Sequence, residues 1–591
     1  MVSRAGRTWR AAALLAGPLT VAGLLGVATP AAAASGPATP VSVIVRTGSV
    51  QDSARAQAAV RAAGGTVDRP LDLISGFAGH VAPAALPALR ATPGVTGVTV
   101  DSAVRLKADK WLDDGGKNAP VDAIKKAAGA KKTSKLVDVA ALTGAGVGVA
   151  LIDSGVAPVR GLDQPGKVIN GPDLSFESQD PDLANLDTYG HGTHMAGIIA
   201  GSDPATPDGT PRFDGLAPGA HLISLKVATA DGASDVSQVI AAIDWVVAHR
   251  DDPGLNIRVL NLSFGTDSAQ DAALDPLSYA VEAAWRKGIV VVVSAGNDGA
   301  AAPRLTMPAA NPYVIAVGAA DAAGTSTRTD DTVATFSSRG STSRHADLIA
   351  TGRSVISLRD PGSYVDTEYP SARVADAGGE ERFFRGSGTS QAAAVVSGSV
   401  ALLLQQRPSL TPDQVKSLLV RSADPLPGAD PVAAGAGQLD IAEAATLLPD
   451  KDSAQDFPAA TGLGSLEGSR GTNHVVDGLT GISLRGETDI FGAAWNPRKW
   501  SHEAKDGKAW KSGSWNGSVW TGGAFKGESW AAKTWSPAPW TGANWAGRSW
   551  AGSGWEGRSW AGRSWAGRSW AGRSWAAGTW CGRSWAGRSW A

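Results

Sequence analysis

One cysteine, Cys581, stands in 591 residues, so no disulfide forms within a single chain and stability has to come from a large core. The lone thiol is either an exposed group or a point of pairing between chains. Beyond residue 34 no stretch approaches the roughly 20 uninterrupted apolar residues that a membrane-spanning helix needs, which excludes such a span from there on. Methionine is scarce too. Of three, only Met195 and Met307 lie beyond the first residue. No loop carries aspartates at the spacing of calcium ligands, so no metal ligands are assigned and a structural calcium has no clear motif behind it.

What is present begins with a processing signal. Residues 1–34 carry Arg4, Arg7 and Arg10, then an apolar stretch over 11–27, then Ala31-Ala32-Ala33-Ala34. A basic start, an apolar middle and a small-residue end make a secretory signal peptide cut near Ala34, so the remainder is expected to be secreted, free or held at the cell envelope. Residues 35–106 read as a compact unit with strands over 41–46, 76–81 and 95–100 and helices over 52–63 and 83–90. That order suggests a small ferredoxin-like α+β fold.

Three short motifs, far apart, read as parts of one site. They are Ala150-Leu151-Ile152-Asp153-Ser154-Gly155, Gly190-His191-Gly192-Thr193-His194 and Gly388-Thr389-Ser390. The apolar run 147–152 has the pattern of a buried parallel strand, so Asp153 emerges at its carboxyl end, where sites form in open α/β sheets. His191 sits at a strand-to-helix junction. Ser390 opens a helical pattern over 391–406 that stops near Pro408, and a helix N-terminus gathers the backbone N–H groups that an oxyanion needs. A carboxylate, an imidazole and a hydroxyl in these settings point to acyl-transfer chemistry. His194, three residues past His191, is expected to pack or hydrogen-bond beneath the site.

The motifs, their order and their context resemble the subtilisin-like serine peptidases (subtilases) over residues 137–447. The resemblance implies an α/β fold with a doubly wound parallel-sheet catalytic domain, residues 107–448, preceded by an inhibitory propeptide, residues 35–106. It implies that Asp153, His191 and Ser390 are catalytic, with Asn297 of Ser294-Ala295-Gly296-Asn297 as side-chain donor to the oxyanion. It also implies that Ser263, Phe264 and Gly265 wall the primary specificity pocket, and that Ala230, Asp231 and Gly232 belong to an extended segment pairing with substrate backbone. No cofactor is required for this chemistry, and the partners would be protein or peptide substrates and the chain's own propeptide. Three residues depart from the family's pattern: Gln391 where Met is usual, Ala394 where Pro is usual, and Phe264 where a smaller aliphatic residue is common.

Elsewhere in this region strand and helix alternate, with strands over 221–227, 259–264 and 289–293 and helices over 235–250, 276–287 and 412–419. Val236, Val239, Ile240, Ile243 and Val247 form one apolar stripe on the first of these helices.

The last fifth of the chain is different. Residues 449–492, rich in Gly, Ser, Thr and Asp, read as a linker. Over 493–591 an aromatic falls on nearly every fifth position, settling into Ala-Gly-Arg-Ser-Trp; Lys505 is the one non-aromatic interruption and Phe525 substitutes once. A period of five matches neither helix nor strand, leaving a coil of one turn per repeat or no fixed structure. Residues 491–591 hold fourteen Lys or Arg against four Asp or Glu, a net of +10, so the rest carries −11 of the overall −1. Regular Trp with Arg two residues before it suggests stacking on sugar rings or on one another and attraction to anionic polymers, so the tail reads as an attachment to envelope polysaccharide, with a spacer or self-associating tail and a nucleic-acid binder as the alternatives. The competing reading is a non-catalytic envelope protein that uses the subtilase fold as a scaffold and the Trp repeat for binding.

Overall fold

The computed structural model describes residues 41–71, 76–100, 117–129, 138–179, 183–204, 213–230, 232–475 and 483–519, with two dipeptides at 558–559 and 583–584. The signal segment, Cys581 and most of the late repeats lie outside the described residues.

The N-terminal unit runs β1 (Val41–Thr47), α1 (Val50–Ala62), β2 (Thr66–Leu71), β3 (Gly76–Val81), α2 (Leu86–Arg90) and β4 (Val95–Val100). Its sheet is antiparallel in the order β2-β3-β1-β4, which is the ferredoxin-like arrangement. Val43 and Val45 alternate onto the face that packs against Ala56, Val60, Phe77 and Leu89, and Ser49 caps α1 by accepting from Asp52 N–H. The strand that sequence reading misses is β2. Pro70 argues against a strand, yet β2 is an edge strand, where a residue with no N–H to donate is tolerated.

The larger unit is a doubly wound α/β sheet. Its strands are β5 (Gly148–Asp153), β6 (Val168–Asn170), β7 (His221–Lys226), β8 (Ile257–Leu262), β9 (Val290–Ser294), β10 (Ile315–Asp321), β11 (Thr332–Val333) and β12 (Leu348–Thr351). The order is β11-β10-β9-β8-β5-β7-β6, with β12 beside β10. Only β11 runs antiparallel. From β5 the chain builds β6 and β7 on one side and then β8, β9 and β10 on the other. The order therefore reverses at β5, and the crevice at such a switch point, outside the carboxyl ends of the strands, is where α/β sheets bind ligands.

Four long helices cover the faces: α3 (His191–Ala200), α4 (Val236–His249), α5 (Pro276–Arg286) and α6 (Thr389–Gln406). Helix α3 packs on α6, and α4 on α5. The expected stripe on α4 is buried, and Asp235 and Gln238 close a capping box at its start. Helix α6 is buried from Thr389 to Leu404, as an apolar-all-round helix should be. Among the described residues no helix is long and apolar enough to cross a membrane.

The C-terminal segment departs most from expectation. Residues 449–492 are not a free linker where described. Ala460 N–H donates to Glu282 Oε2 at 3.0 Å, Thr461 N–H to the Ala273 carbonyl at 2.7 Å, and Tyr313 O–H to the Phe457 carbonyl at 2.5 Å. Short polar residues here follow a path along specific hydrogen-bonding partners on the α/β unit, so their composition does not make a loose chain. The first repeats continue that path through α7 (Pro497–Asp506) and a hairpin series, β13 (Trp510–Lys511), β14 (Ser514–Trp515) and β15 (Ser518–Val519). Trp510 faces Trp515 across the first pairing. Trp495, Trp500, Trp510 and Trp515 are all buried. Trp500 and Trp515 Nε1–H both donate to Asp244 Oδ2 at 2.8 Å, and Trp510 Nε1–H donates to the Ala241 carbonyl at 2.6 Å, all on α4. These four indoles are therefore not a stacking surface for sugars: all four are buried, Trp495 against the rings of Trp500 and Trp515, and the N–H groups of the other three are bonded to α4. The later repeats, on which the attachment reading otherwise rests, lie outside the described residues apart from the dipeptides at 558–559 and 583–584.

Candidate active site

Asp153 is the last residue of β5 and His191 the first of α3, and His191 Nδ1 lies 2.7 Å from Asp153 Oδ1 with both side chains no more than 2 % exposed. A nitrogen beside a carboxylate oxygen at that distance carries the proton and donates it, which leaves Nε2 as the basic nitrogen. The approach is fixed by a residue that sequence reading did not single out. Asp187 Oδ1 accepts from Ser154 Oγ at 2.8 Å and from Gly190 N–H at 2.7 Å, while Oδ2 accepts from Thr193 N–H at 2.7 Å. Ser154 Oγ in turn accepts from Gly192 N–H at 2.9 Å. Three first-turn N–H groups around His191 are thereby tied to the turn that follows Asp153. An acidic residue just ahead of a helix start was the available signal. Gly190, at φ 97°, and Gly192 are both required: a Cβ would meet Ser363 Oγ at 2.3 Å in the first case and the Gly155 carbonyl at 2.1 Å in the second.

Asn297 follows β9, two strands from β5. Its Oδ1 accepts from Thr389 N–H and from Thr389 Oγ1, each at 2.9 Å. Because the Thr389 N–H can only donate, the amide oxygen must face it, and the NH₂ end is turned the other way. Ser390 is the next residue, in the first turn of α6, where backbone N–H groups have no partner within the helix. Helix α3 begins at the carboxyl end of β5 and α6 at that of β9. Two strand spacings separate those ends, about 10 Å, so His191 and Ser390 share one edge of the sheet.

Beneath this edge lies a buried polar layer. Lys226 Nζ donates to the Ser154 carbonyl at 2.8 Å and to Thr188 Oγ1 at 3.2 Å and pairs with Glu177 Oε2 at 2.9 Å, with both charged side chains fully buried. Burial pushes the Glu177 carboxyl up to about 7, against the opposing pull of Lys226. His194 behaves as expected of a supporting residue: it lies 3.1 Å from the Phe384 carbonyl through Nε2, and burial, with His191 nearby, holds its imidazole down at about 3.

The expected substrate segments fare unevenly. Ser263, Phe264 and Gly265 follow β8 at the same edge, but the Phe264 side chain is fully buried in the core, so its size does not shape an exposed pocket. A Cβ on Gly265 would fall 2.5 Å from Thr306 Oγ1. The segment at 230–234 is not extended throughout. Gly232 N–H returns to the Thr229 carbonyl and Thr229 N–H goes to the Ala233 carbonyl, which makes a tight turn with Gly232 at φ 81°. Ala230 is buried and its N–H is held by Glu177 Oε1 at 2.9 Å, so that N–H is not available to pair with substrate. Asp231 lies outside the described residues. Extended backbone is reached at Asp235. No cluster of three or more potential metal ligands occurs among the described residues.

Residues 144–457 match the family model described as the Subtilase family, more than half of the chain. The chain belongs to that family. Serine protease AprX of Bacillus subtilis (strain 168) is 39% identical over 302 residues, covering 50% of this chain and 65% of AprX. Subtilisin DY of Bacillus licheniformis is 34% identical over 282 residues, 47% of this chain and 84% of that protein. The chain thus spans just under two thirds of AprX and most of subtilisin DY. Among solved structures, a cold adapted subtilisin-like serine proteinase is 29% identical over 51% of this chain and 90% of its own, with a TM-score of 0.38.

Proposed function

We propose that this protein is a secreted serine endopeptidase that hydrolyses peptide bonds through an acyl-enzyme and is made as a precursor that cuts itself. The observation that carries the reading is the buried contact of 2.7 Å between His191 Nδ1 and Asp153, at the switch-point edge that also holds Asn297, Thr389 and Ser390. Ser390 Oγ attacks the scissile carbonyl as its proton passes to His191 Nε2, and Asp153 stabilises the imidazolium through Nδ1–H. The tetrahedral oxyanion is met by the Asn297 NH₂ and the Ser390 backbone N–H. His191 then returns the proton to the leaving amine, and water repeats the sequence to release the acyl group. Losing one such donor costs about 2.7–4 kcal/mol of transition-state stabilisation, a range that comes from a subtilisin rather than from this structure.

The ferredoxin-like unit is read as the inhibitory propeptide, and residues beyond 519 as the segment that holds the enzyme at the envelope. The test of the central claim is labelling by a serine-directed fluorophosphonate alongside hydrolysis of a peptide substrate. The wild type should take one label and Ser390→Ala none, with loss of hydrolysis. A wild type that neither labels nor hydrolyses would leave the fold as a scaffold only.

A further inference from the structure

Two loops border the crevice beside Asp153. One leaves the carboxyl end of β7 and ends at Asp235; the other leaves β8 and runs through Ser263, Phe264 and Gly265 to Thr266. Strands β7 and β8 flank β5, so these loops stand on either side of the switch point. Consecutive residues of the C-terminal segment join them. The Ser469 carbonyl accepts from Thr266 Oγ1 at 2.8 Å. Arg470, fully buried, reaches the other loop with Nε 2.6 Å from Asp235 Oδ2 and NH2 3.2 Å from Asp235 Oδ1.

Arg470 is itself held from behind, with NH1 donating to the Gly486 carbonyl at 2.8 Å and NH2 to the Thr488 carbonyl at 2.6 Å. Past it the segment stays on the second loop. Thr472 N–H donates to Asp267 Oδ1 at 2.7 Å, and Asn473 Nδ2 to the same oxygen at 3.2 Å. All of this lies beyond residue 457, where the match to the family model ends.

We propose that residues 469–473 form an end wall of the substrate crevice, so that this chain's own C-terminal segment sets which acyl-side substrate residues remote from the scissile bond are accepted. The proposal rests on the peptidase reading and on the acyl-side primary pocket assigned to Ser263, Phe264 and Gly265. A bidentate guanidinium–carboxylate pair fixes both distance and angle between its partners. Arg470 therefore holds the two loops at one separation and stops the crevice with structure rather than solvent. A short substrate would not reach this wall. A longer one, pairing along the loops by main-chain hydrogen bonds, would meet it.

The test uses the full chain and a series of peptide p-nitroanilides lengthened one residue at a time on the acyl side. Arg470→Met cuts the link to the first loop, though it leaves Asp235 buried without its partner. Asp267→Ala, at an exposed position, frees residues 472–473 from the second loop and should fold whether or not the first variant does. Each variant should change kcat/KM by about tenfold or more for the longest substrates, equivalent to about 1.4 kcal/mol, while the shortest change less than about twofold. Equal changes at every length, or none with Asp267→Ala, would overturn the end wall. Wild-type protein that fails to label with a fluorophosphonate would instead overturn the peptidase reading beneath it.

Discussion

Asp244 gives the sharpest test of how the C-terminal segment is held. Its carboxyl is almost wholly buried on α4, and its Oδ2 accepts two indole N–H groups, from Trp500 and Trp515. Burial outweighs those two bonds and raises the carboxyl from 3.8 to about 7. A carboxyl whose folded value lies above its unfolded one favours folding most when protonated. Its contribution is complete below about pH 4 and is lost as pH rises through about 7. Some three units at about 1.4 kcal/mol each set a ceiling of about 4 kcal/mol on that loss. Asp244→Asn resembles the protonated acid, keeping one acceptor oxygen without the charge. It should match the wild type below about pH 4, where the carboxyl is protonated in both states, and be the more stable protein near pH 8. Asp244→Ala should instead strand two buried indole N–H groups, costing about 1–3 kcal/mol each at every pH. Thermal unfolding followed by Trp fluorescence, in a Ser390→Ala background to prevent self-digestion, measures all three. Parallel pH profiles for the Asp and Asn proteins, or an Ala variant as stable as wild type, would refute the reasoning.

The remaining expectations concern the active site. Ser390→Ala and His191→Ala should each abolish most turnover, and the double variant should lose little more, because groups that act as a unit are not additive; additive losses in single-turnover rates would show that they act separately. Asp187→Asn presents an NH₂ to backbone groups that can only donate, so His191 should shift and kcat fall by about 10- to 100-fold with KM nearly unchanged; a change confined to KM would place Asp187 in binding instead. Peroxide should spare most activity, since Gln391 has no sulfur and Met195 and Met307 are buried. Gln391→Met should inactivate measurably faster, and superimposable decay curves for the two proteins would show that this position does not govern oxidation.

By itself the sequence determined the features whose causes are local. Apolar runs gave the parallel strands, the helix starts expected at 235 and 412 fall within a residue of Val236 and Pro412, and the Gly-flanked motifs placed Asp153, His191 and Ser390 at strand and helix ends. The tertiary structure decided whatever depends on a partner remote along the chain. Arg470 finds Asp235 across 235 positions, and Trp515 finds Asp244 across 271. No local pattern distinguishes those residues from a surface Arg and a repeat Trp. The same limit explains Ala230, whose N–H is captured by Glu177, 53 residues away. A Trp-rich period shows that indoles recur, but whether an indole stacks on a ligand or fills a core is set by the surface it meets. For Trp500, Trp510 and Trp515 that surface is α4, where the Asp244 carboxylate and the Ala241 carbonyl accept their N–H groups, while Trp495 packs on the rings of Trp500 and Trp515.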